Sequence, residues 1–301
     1  MTPICLVGIG KIATDQHVPA INASPDWDLA ATVSRTGTID GVQAFTDFDQ
    51  MLAETDIPVI SLCLPPVPRY AYAAKAIAAG RHVMLEKPPG ATLAEVHALA
   101  DMARAAGVTL FTTWHSRMAP GVAPAKAWLA DKQVTGVQIT WKEDVRRWHP
   151  GQDWVFAPAG MGVFDPGINA LSIITEILPM PIHLQAAELL FPSNCDTPIA
   201  AQMRWTENVI AEFDWRQEGP QSWDITVQTD AGGISLHDGG SRLVIDGAPQ
   251  DVGPEREYPA LYDRMADLVK DGVSDVDIGP MIHVADAMAL GQRVTGEAFY
   301  L

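Results

Sequence analysis

A short apolar strand that runs directly into a glycine-rich turn is the feature that most constrains the fold of this chain. Residues 4–7 are apolar, Gly8 and Gly10 follow, and a helical pattern continues from Ala13 to about residue 23. Gly8 permits a tight turn, Gly10 lets backbone N–H groups approach a pyrophosphate, and Ala13 allows close packing of a helix on a strand. This pattern predicts a dinucleotide-binding βα unit. The fingerprint residues predicted to contact the dinucleotide are Gly8, Ile9, Gly10, Lys11 and Ile12.

Strand and helix patterns then alternate up to residue 118. Apolar runs bounded by turn residues predict strands at residues 29–34, 59–64, 83–86 and 108–114, and helices are predicted at residues 47–54, 69–79 and 93–106. Such alternation is typical of a parallel, doubly wound sheet. We therefore predict an α/β fold that begins with a Rossmann domain at residues 1–118.

The pattern changes after residue 118. Helices are predicted at residues 119–130 and 162–178 and a strand at residues 134–144, whereas residues 183–245 hold apolar segments separated by turn signals such as Asp230-Ala-Gly-Gly233. Two further helices are predicted at residues 258–270 and 281–294. We expect residues 119–301 to form an α+β domain with a large open, mainly antiparallel sheet, and the last helix to pack back on the first domain.

The segment of residues 82–90 places a charged pair at the end of a predicted buried strand. An apolar run ends at Leu85, Glu86 and Lys87 follow, and two prolines and a glycine stiffen the exit. Ligands bind at the carboxyl ends of the strands in open parallel sheets, so a lysine here is aimed at a crevice. The alternative is an ordinary solvated Glu–Lys pair at a strand end.

The second predicted strand ends at Ser34 and Arg35, where NAD-specific sites usually carry an acidic residue that holds the ribose 2′-hydroxyl. A hydroxyl and a guanidinium suit a 2′-phosphate instead, which indicates NADP or use of both cofactors. The alternative is a surface arginine without a ligand. The other predicted cofactor contacts, at the ends of two further strands, are Cys63, Leu64, Pro65, Glu86 and Lys87.

Charge and cysteine content exclude several classes of partner. With 20 Lys and Arg against 37 Asp and Glu, the net charge is −17, which disfavours binding to nucleic acid or to an anionic membrane. The three cysteines, Cys5, Cys63 and Cys195, have no metal or redox spacing, and no apolar run could span a bilayer. Because the first predicted strand begins almost at Met1, we expect no signal peptide. We expect a cytoplasmic protein without a bound metal.

Several motifs, in this order, resemble the family of glucose-fructose oxidoreductase and inositol dehydrogenase. They are the glycine fingerprint, Glu86-Lys87-Pro88, and Asp165-Pro-Gly-Ile-Asn169 on a predicted helix. Longer strings around Trp114-His-Ser-Arg117, Trp141 to Gly151 and Val163 to Ala170 are similar to the L-arabinose and D-galactose 1-dehydrogenases of that family. The resemblance covers the whole chain.

The resemblance implies that Lys87 and Asp165 meet beside the nicotinamide. Residues four apart share a helix face, so Asp165 and Asn169 can point into one cleft. Many relatives carry a basic histidine at the position of Asn169, but asparagine takes no proton at neutral pH and can only orient the substrate. The proton of the sugar's anomeric hydroxyl must then go to Lys87 and Asp165, and the sequence leaves open which of the two accepts it first.

The resemblance also nominates a sugar site. Apolar faces of pyranoses pack on aromatic rings, and their hydroxyls need directed polar partners. Without the resemblance, the tryptophans would be better interpreted as sheet core and a lone histidine as structural. The residues nominated for sugar binding, beside Asp165 and Asn169, are His115, Glu143, Trp148, His149 and Trp223.

These expectations together describe an aldose 1-dehydrogenase that oxidises L-arabinose, D-galactose or D-fucose to the aldonolactone and passes a hydride to NADP or NAD. Two alternatives remain: a non-catalytic NAD(P)- or sugar-sensing regulator of the same fold, and a glycoside hydrolase that retains NAD. The joint presence of Lys87, Asp165 and Asn169 favours the dehydrogenase. Because an open sheet usually has a face to hide, and relatives often hide it by pairing two subunits, we also expect a homodimer.

Overall fold

The computed structural model describes all residues from 1 to 301, and they form two compact units. The first unit comprises Met1–His115 and Tyr258–Ile278, and the second comprises Ser116–Glu257 and Gly279–Leu301. The first break lies close to the boundary expected near Met118. The chain also returns to the first unit after Glu257, which the linear division at residue 118 did not include.

The first unit is built on six parallel strands. They are β1 (Thr2–Val7), β2 (Trp27–Val33), β3 (Gln43–Phe45), β4 (Val59–Leu62), β5 (His82–Leu85) and β6 (Leu110–Thr112). Their order in the sheet is β3-β2-β1-β4-β5-β6, and each neighbouring pair is parallel. The predicted doubly wound sheet is therefore confirmed. The order reverses between β1 and β4, which opens a crevice at their carboxyl ends.

Helices connect these strands. A π-helical turn (Ala13–His17) leads into α1 (Val18–Ala23), and α2 (Phe48–Glu54), α3 (Pro66–Ala78) and α4 (Leu93–Ala106) follow. The limits of α4 follow from local chemistry: the Thr92 hydroxyl accepts from the backbone N–H of Glu95 at 3.2 Å, and Gly107 ends the helix at a φ of 68°.

The second unit contains a sheet of nine strands in the order β14-β13-β12-β11-β7-β10-β9-β8-β15. The strands are β7 (Val134–Lys142), β8 (Leu184–Pro192), β9 (Ala200–Trp205), β10 (Val209–Asp214), β11 (Ser222–Thr229), β12 (Gly232–His237), β13 (Arg242–Ile245), β14 (Ala248–Pro249) and β15 (Gln292–Gly296). Most neighbours are antiparallel, as predicted, but the pairs β7–β10 and β8–β15 are parallel. The sheet is therefore mixed.

The helices from α5 onward complete the chain. They are α5 (Val122–Leu129), α6 (Val145–Trp148), α7 (Phe164–Ile177), α8 (Glu257–Asp271) and α9 (Gly279–Leu290). Helix α7 lies against the sheet at Gly167, where an added Cβ would be 3.2 Å from the Phe213 ring. No helix of the chain combines the length and the apolar content that a membrane span needs.

Helix α8 returns the chain to the first unit from Tyr258 onward. It buries Tyr258, Leu261, Tyr262, Met265 and Leu268 at helical spacing. Helix α9 stays in the second unit, where the Trp205 indole donates to Nδ1 of His283 at 3.2 Å.

The predicted helix at residues 281–294 is too long. Helix α9 ends at Leu290, and residues 292–296 form β15 instead, parallel to β8. At Gly291 an added Cβ would lie 2.4 Å from the Ala287 carbonyl oxygen, so only glycine fits where the helix gives way to the strand.

Candidate active site

The predicted cofactor residues lie at one edge of the first sheet. Gly8, Ser34, Cys63 and Glu86 each follow directly on the end of a strand, namely β1, β2, β4 and β5. Because these strands are parallel, their carboxyl ends meet at the same edge. The other predicted contacts, which adjoin these four in sequence, are Ile9, Gly10, Lys11, Ile12, Arg35, Leu64, Pro65 and Lys87.

The backbone around the fingerprint fits a dinucleotide. Gly8 has a φ of +89°, and an added Cβ would lie 3.0 Å from the backbone nitrogen of Leu64, so the ends of β1 and β4 approach closely only with glycine. At Gly10 an added Cβ would meet no atom within 4 Å, so the backbone there borders open space. A pyrophosphate can therefore approach the turn at the start of the helical segment.

A third glycine, Gly37, belongs to this edge although the sequence analysis missed it. An added Cβ on Gly37 would lie 2.4 Å from the carbonyl oxygen of Ile9, which shows that the turn after β2 packs on the fingerprint. The N–H of Gly37 donates to the Ser34 hydroxyl at 3.1 Å. Arg35, next to Ser34, is exposed. The only sequence signal was a glycine two residues after Arg35.

Glu86 is a buried carboxylate with directed hydrogen bonds on both oxygens. Its side chain is 5% exposed, and Oε2 accepts from the backbone N–H of Lys87 at 2.6 Å. Oε1 accepts from the Tyr258 hydroxyl at 2.9 Å and contacts Nε2 of His17 at 3.1 Å. The carboxylate thereby fixes the backbone position from which the Lys87 side chain departs.

His17 is the buried partner of this carboxylate. Its Nδ1 lies 2.7 Å from the Tyr262 hydroxyl, which in turn lies 3.3 Å from Oγ of Ser61. Burial alone would lower the pKa of His17, but Cys63, Tyr262 and Glu86 around the ring hold that pKa well above its usual value.

The pKa of Glu86 is shifted in the opposite direction. Burial alone would raise it, but the hydrogen bond and charge of His17, with the charges of His115 and Lys87, hold the pKa of Glu86 well below its usual range. We therefore treat the two groups as a buried ion pair, with His17 protonated and Glu86 ionised.

Arg69 joins two loops at the edge of the first sheet where the predicted cofactor residues lie. It is buried, and its guanidinium donates to the carbonyl oxygens of Leu64, Glu86 and Pro88. The loops that follow β4 and β5 are thus tied together around the position of Lys87. The sequence carried no signal for this role, because Arg69 lies on a helix and its acceptors are backbone atoms.

His115, predicted to bind sugar, lies in the first unit together with Lys87. Its ring stacks on Tyr258, with a centroid distance of 5.4 Å and an interplanar angle of 18°. Tyr258 therefore contacts both a predicted sugar residue and the carboxylate that holds Lys87. Neither Tyr258 nor Tyr262 was nominated from the sequence, and nothing local in the sequence of α8 marks them.

The second unit holds the other predicted catalytic and sugar residues. Asp165 and Asn169 lie one turn apart in the first half of α7, and Asp165 is 5% exposed. Oδ2 of Asp165 lies 3.3 Å from Nε2 of His149, and Nδ1 of His149 lies 3.3 Å from Oε1 of Gln152. The side chains of His149 and Asp165, both nominated for the site, are thus in contact.

Glu143 is held by two tryptophans. Its Oε1 accepts from the Trp215 indole at 3.0 Å and its Oε2 accepts from the Trp223 indole at 2.8 Å. Trp148 packs on Trp223 at 5.5 Å between ring centroids, and His149 meets the edge of Trp215 at 5.1 Å. Aromatic faces beside oriented polar groups are what a pyranose requires.

Trp215 is the residue that the sequence analysis missed in this cluster. It is fully buried and contacts both Glu143 and His149. Its position directly after β10, one residue beyond Asp214, is the only local signal. The nominated residues are therefore split between the units: Lys87 and His115 lie in the first, and Glu143, Trp148, His149, Asp165, Asn169 and Trp223 lie in the second.

Known proteins are similar to this chain in sequence and in fold. The model of an oxidoreductase family with an NAD-binding Rossmann fold matches residues 3–114. Galactose 1-dehydrogenase of Pseudomonas fluorescens is 45% identical across 98% of this chain and 97% of its own length. The crystal structure of D-galactose-1-dehydrogenase from Rhizobium etli is 52% identical, with a TM-score of 0.95 over 99% of this chain and 97% of that one.

A more distant structure shares only the fold. A 3-ketoreductase of Actinomadura kijaniata is 16% identical, with a TM-score of 0.85 over 98% of this chain and 99% of that one. The resemblance stated from the sequence motifs is confirmed by the closer relatives. The chain belongs to the oxidoreductase family of glucose-fructose oxidoreductase and inositol dehydrogenase, and along nearly all its length it is similar to galactose 1-dehydrogenases.

Proposed function

We propose that this protein is an aldose 1-dehydrogenase that oxidises the anomeric carbon of L-arabinose, D-galactose or D-fucose to the aldonolactone. The observation that carries the proposal is the 45% identity to a galactose 1-dehydrogenase across 98% of the chain. The buried, oriented polar groups around Glu143 and Asp165 support it, because a sugar needs such partners.

Lys87 and Asp165 are proposed to carry the chemistry at the anomeric hydroxyl. A bound NADP or NAD supplies the hydride acceptor. The proton of the anomeric hydroxyl goes to the coupled pair of Lys87 and Asp165, and Lys87 in its ammonium form stabilises negative charge on the anomeric oxygen. Asn169, which has no titratable group, orients the sugar through hydrogen bonds. His149 contacts Asp165 and so helps to fix its carboxylate.

The sugar ring is proposed to lie against Trp148 and Trp223, with Glu143, His149 and His115 as hydroxyl partners. The two indole donors on Glu143 hold its carboxylate in one orientation, which suits recognition of a hydroxyl of fixed configuration.

Three free cysteines support the cytoplasmic location that we propose.

NADP is the proposed preferred cofactor, with NAD as the alternative. Ser34 and Arg35 follow β2 where an acidic residue would bind the ribose 2′-hydroxyl, and the exposed Arg35 guanidinium suits a 2′-phosphate. The turn that carries them packs on the fingerprint through Gly37, which supports a place for both residues beside the cofactor.

A homodimer is also proposed. Outward-facing residues of the central strands of the second sheet, such as Gln138, Gln202 and Ile210, are exposed, and Ile210 is 42% exposed. A second copy that packs on this face would cover them. Sedimentation at micromolar concentration tests this, and a strict monomer would refute it.

The function is tested with a panel of sugars and both cofactors. Purified protein is mixed with L-arabinose, D-galactose, D-fucose or D-glucose, and reduction of added NADP+ or NAD+ is followed by absorbance. Net reduction by free sugar supports the dehydrogenase. Sugar binding without reduction would indicate a sensor instead, and cleavage of an aryl glycoside without net reduction would indicate a hydrolase.

A further inference from the structure

We propose that Phe299 is a positioning residue that holds the sugar-recognition segment, defined as residues 145–156, in the conformation that binds sugar. The inference rests on the proposed function, because the segment carries Trp148 and His149. All the contacts that carry it lie within the second unit.

The backbone of Phe299 is fixed by one side chain. Its N–H donates to Oδ1 of Asn194 at 2.9 Å, and its carbonyl oxygen accepts from Nδ2 of the same side chain at 2.8 Å. A single amide thus satisfies both backbone groups of Phe299, as a neighbouring strand would. This fixes the place from which the ring departs.

The ring of Phe299 contacts two residues of the recognition segment. The Arg146 guanidinium lies over the ring at 4.4 Å from the centroid, and the Phe156 ring lies at a centroid distance of 5.9 Å with an interplanar angle of 55°. Both geometries are attractive. Phe299 therefore contacts both ends of the segment, since Arg146 lies near its start and Phe156 ends it.

The contact with Phe156 leads directly to the polar sugar residues. The Phe156 ring packs on Trp215 at 5.6 Å, and Trp215 donates to Glu143 and meets the edge of His149. A shift of Phe156 would thus move the tryptophan that orients Glu143. Phe299 itself touches neither Glu143 nor His149 in any of these contacts, so its role is indirect.

The recognition segment has little regular structure of its own. It contains one turn of α-helix (Val145–Trp148) and one 3-10 turn (Asp153–Phe156). Its second turn is anchored by two hydrogen bonds. The Phe156 carbonyl accepts from the backbone N–H of Asp196 at 3.0 Å, and the Val155 carbonyl accepts from the Thr197 hydroxyl at 3.1 Å. Segments of this kind depend on packing from neighbouring elements for their position.

Steady-state kinetics of Phe299→Ala test the proposal, with Tyr300→Ala as the matched control. Tyr300 is the next residue and is 72% exposed. Loss of the ring contacts is expected to raise the KM for sugar about three- to tenfold, given the usual strength of aromatic and cation–π contacts. The KM for NADP+ and the unfolding temperature should stay near the wild-type values, and Tyr300→Ala should change none of the three.

Two further variants separate the ring from its backbone anchor. Phe299→Tyr keeps the ring and should restore the sugar KM, whereas Asn194→Ala removes both backbone hydrogen bonds and should raise it in the same direction as Phe299→Ala. An unchanged sugar KM in Phe299→Ala, or an equal change in the KM for NADP+, would overturn the positioning role.

Hydrogen exchange provides a readout that needs no activity. Amides of residues 145–156 are expected to exchange faster in Phe299→Ala than in wild type, and at the wild-type rate in Tyr300→Ala. Unchanged exchange would reject the role of Phe299 whatever the activity. Faster exchange in a protein that oxidises no aldose would reject the proposed function and the link to sugar binding, while leaving Phe299 as the anchor of the segment.

Discussion

The Tyr258 hydroxyl donates to Oε1 of Glu86 at 2.9 Å, although the two residues are 172 positions apart in sequence. Glu86 in turn accepts from the backbone N–H of Lys87 at 2.6 Å. Helix α8, which returns to the first unit late in the chain, therefore fixes the backbone of the lysine that we propose stabilises the oxyanion. Stability and turnover should respond together when this contact is removed.

Replacing Tyr258 with Phe removes one hydrogen bond to a buried carboxylate and keeps the ring that stacks on His115. Hydrogen bonds to charged groups contribute about 1.5 to 3 kcal/mol, so urea unfolding should show a loss in that range. We also expect kcat to fall while the KM for NADP+ is retained. Tyr300→Phe, at an exposed position, is the control, and a Tyr258→Phe protein as stable as wild type would contradict the prediction.

The buried His17–Glu86 pair makes stability depend on pH with a defined sign. The pKa of His17 is raised above 6.5, so the native state keeps a proton that the unfolded state releases. This contribution is complete below about pH 6.5 and is lost as the pH rises towards the native pKa. Glu86, whose pKa is lowered from 4.5, contributes above about pH 4.5 and loses its contribution in acid.

The unfolding free energy of wild type should therefore fall as the pH rises above 6.5. In the His17→Gln variant this fall should be much smaller. Urea unfolding at a series of pH values measures this directly. A matched control is His97→Gln, on helix α4, where the side chain is exposed. Parallel profiles above pH 6.5 for wild type and His17→Gln would show that the pKa of His17 is not raised in the native state.

Lys87→Met should lower kcat by roughly 100-fold or more, because one electrostatic donor to a developing oxyanion is typically worth about 3 kcal/mol. Cofactor binding, measured by fluorescence titration with NADPH, should largely survive. Lys75→Met, an exposed lysine on α3, serves as the control. Near-normal turnover in a folded Lys87→Met protein would mean that Lys87 is an ordinary solvated charge at a strand end.

Arg35→Ala should raise the KM for NADP+ at least about tenfold, because a charged hydrogen bond to a phosphate is worth about 1.5 to 3 kcal/mol. The KM for NAD+ should barely change, since NAD+ lacks the 2′-phosphate. Arg104→Ala, an exposed arginine on α4, controls for loss of surface charge. Equal weakening of both cofactors would mean that Arg35 is structural and that the NADP preference is wrong.

D-Glucose should be a poor substrate. L-Arabinopyranose has the ring hydroxyl arrangement of D-galactopyranose and lacks only the hydroxymethyl, whereas D-glucose inverts the hydroxyl at carbon 4. The inversion would strand polar groups such as Glu143 and His149, at about 1 to 3 kcal/mol each, so kcat/KM should fall roughly 100-fold or more. The kcat/KM values for L-arabinose, D-galactose and D-fucose should lie within a few orders of magnitude of one another. Equal efficiency on glucose and galactose would show that carbon 4 is not recognised.

Local pattern by itself determined most elements of the first unit, although it did not predict the short strand β3. Short apolar runs became β1, β4 and β5, because burial of such runs is favourable, and alternation with helices implied parallel order. The edge that carries Gly8 and Lys87 follows from that order, since parallel strands all end on the same side. The motifs of residues 82–90 and 165–169 were visible because each is one continuous run of sequence: the first spans β5 and the loop after it, and the second lies within α7.

Tertiary packing decided the partners of the polar groups. Tyr258 reaches Glu86 from a distant helix, Trp215 reaches Glu143 from a neighbouring strand end, and Phe299 reaches Phe156 after β15. The sequence of α8 shows only an apolar helical face, which does not say which sheet it covers. A buried carboxylate must find donors, but which residues supply them depends on where whole elements come to rest, and no local periodicity records that.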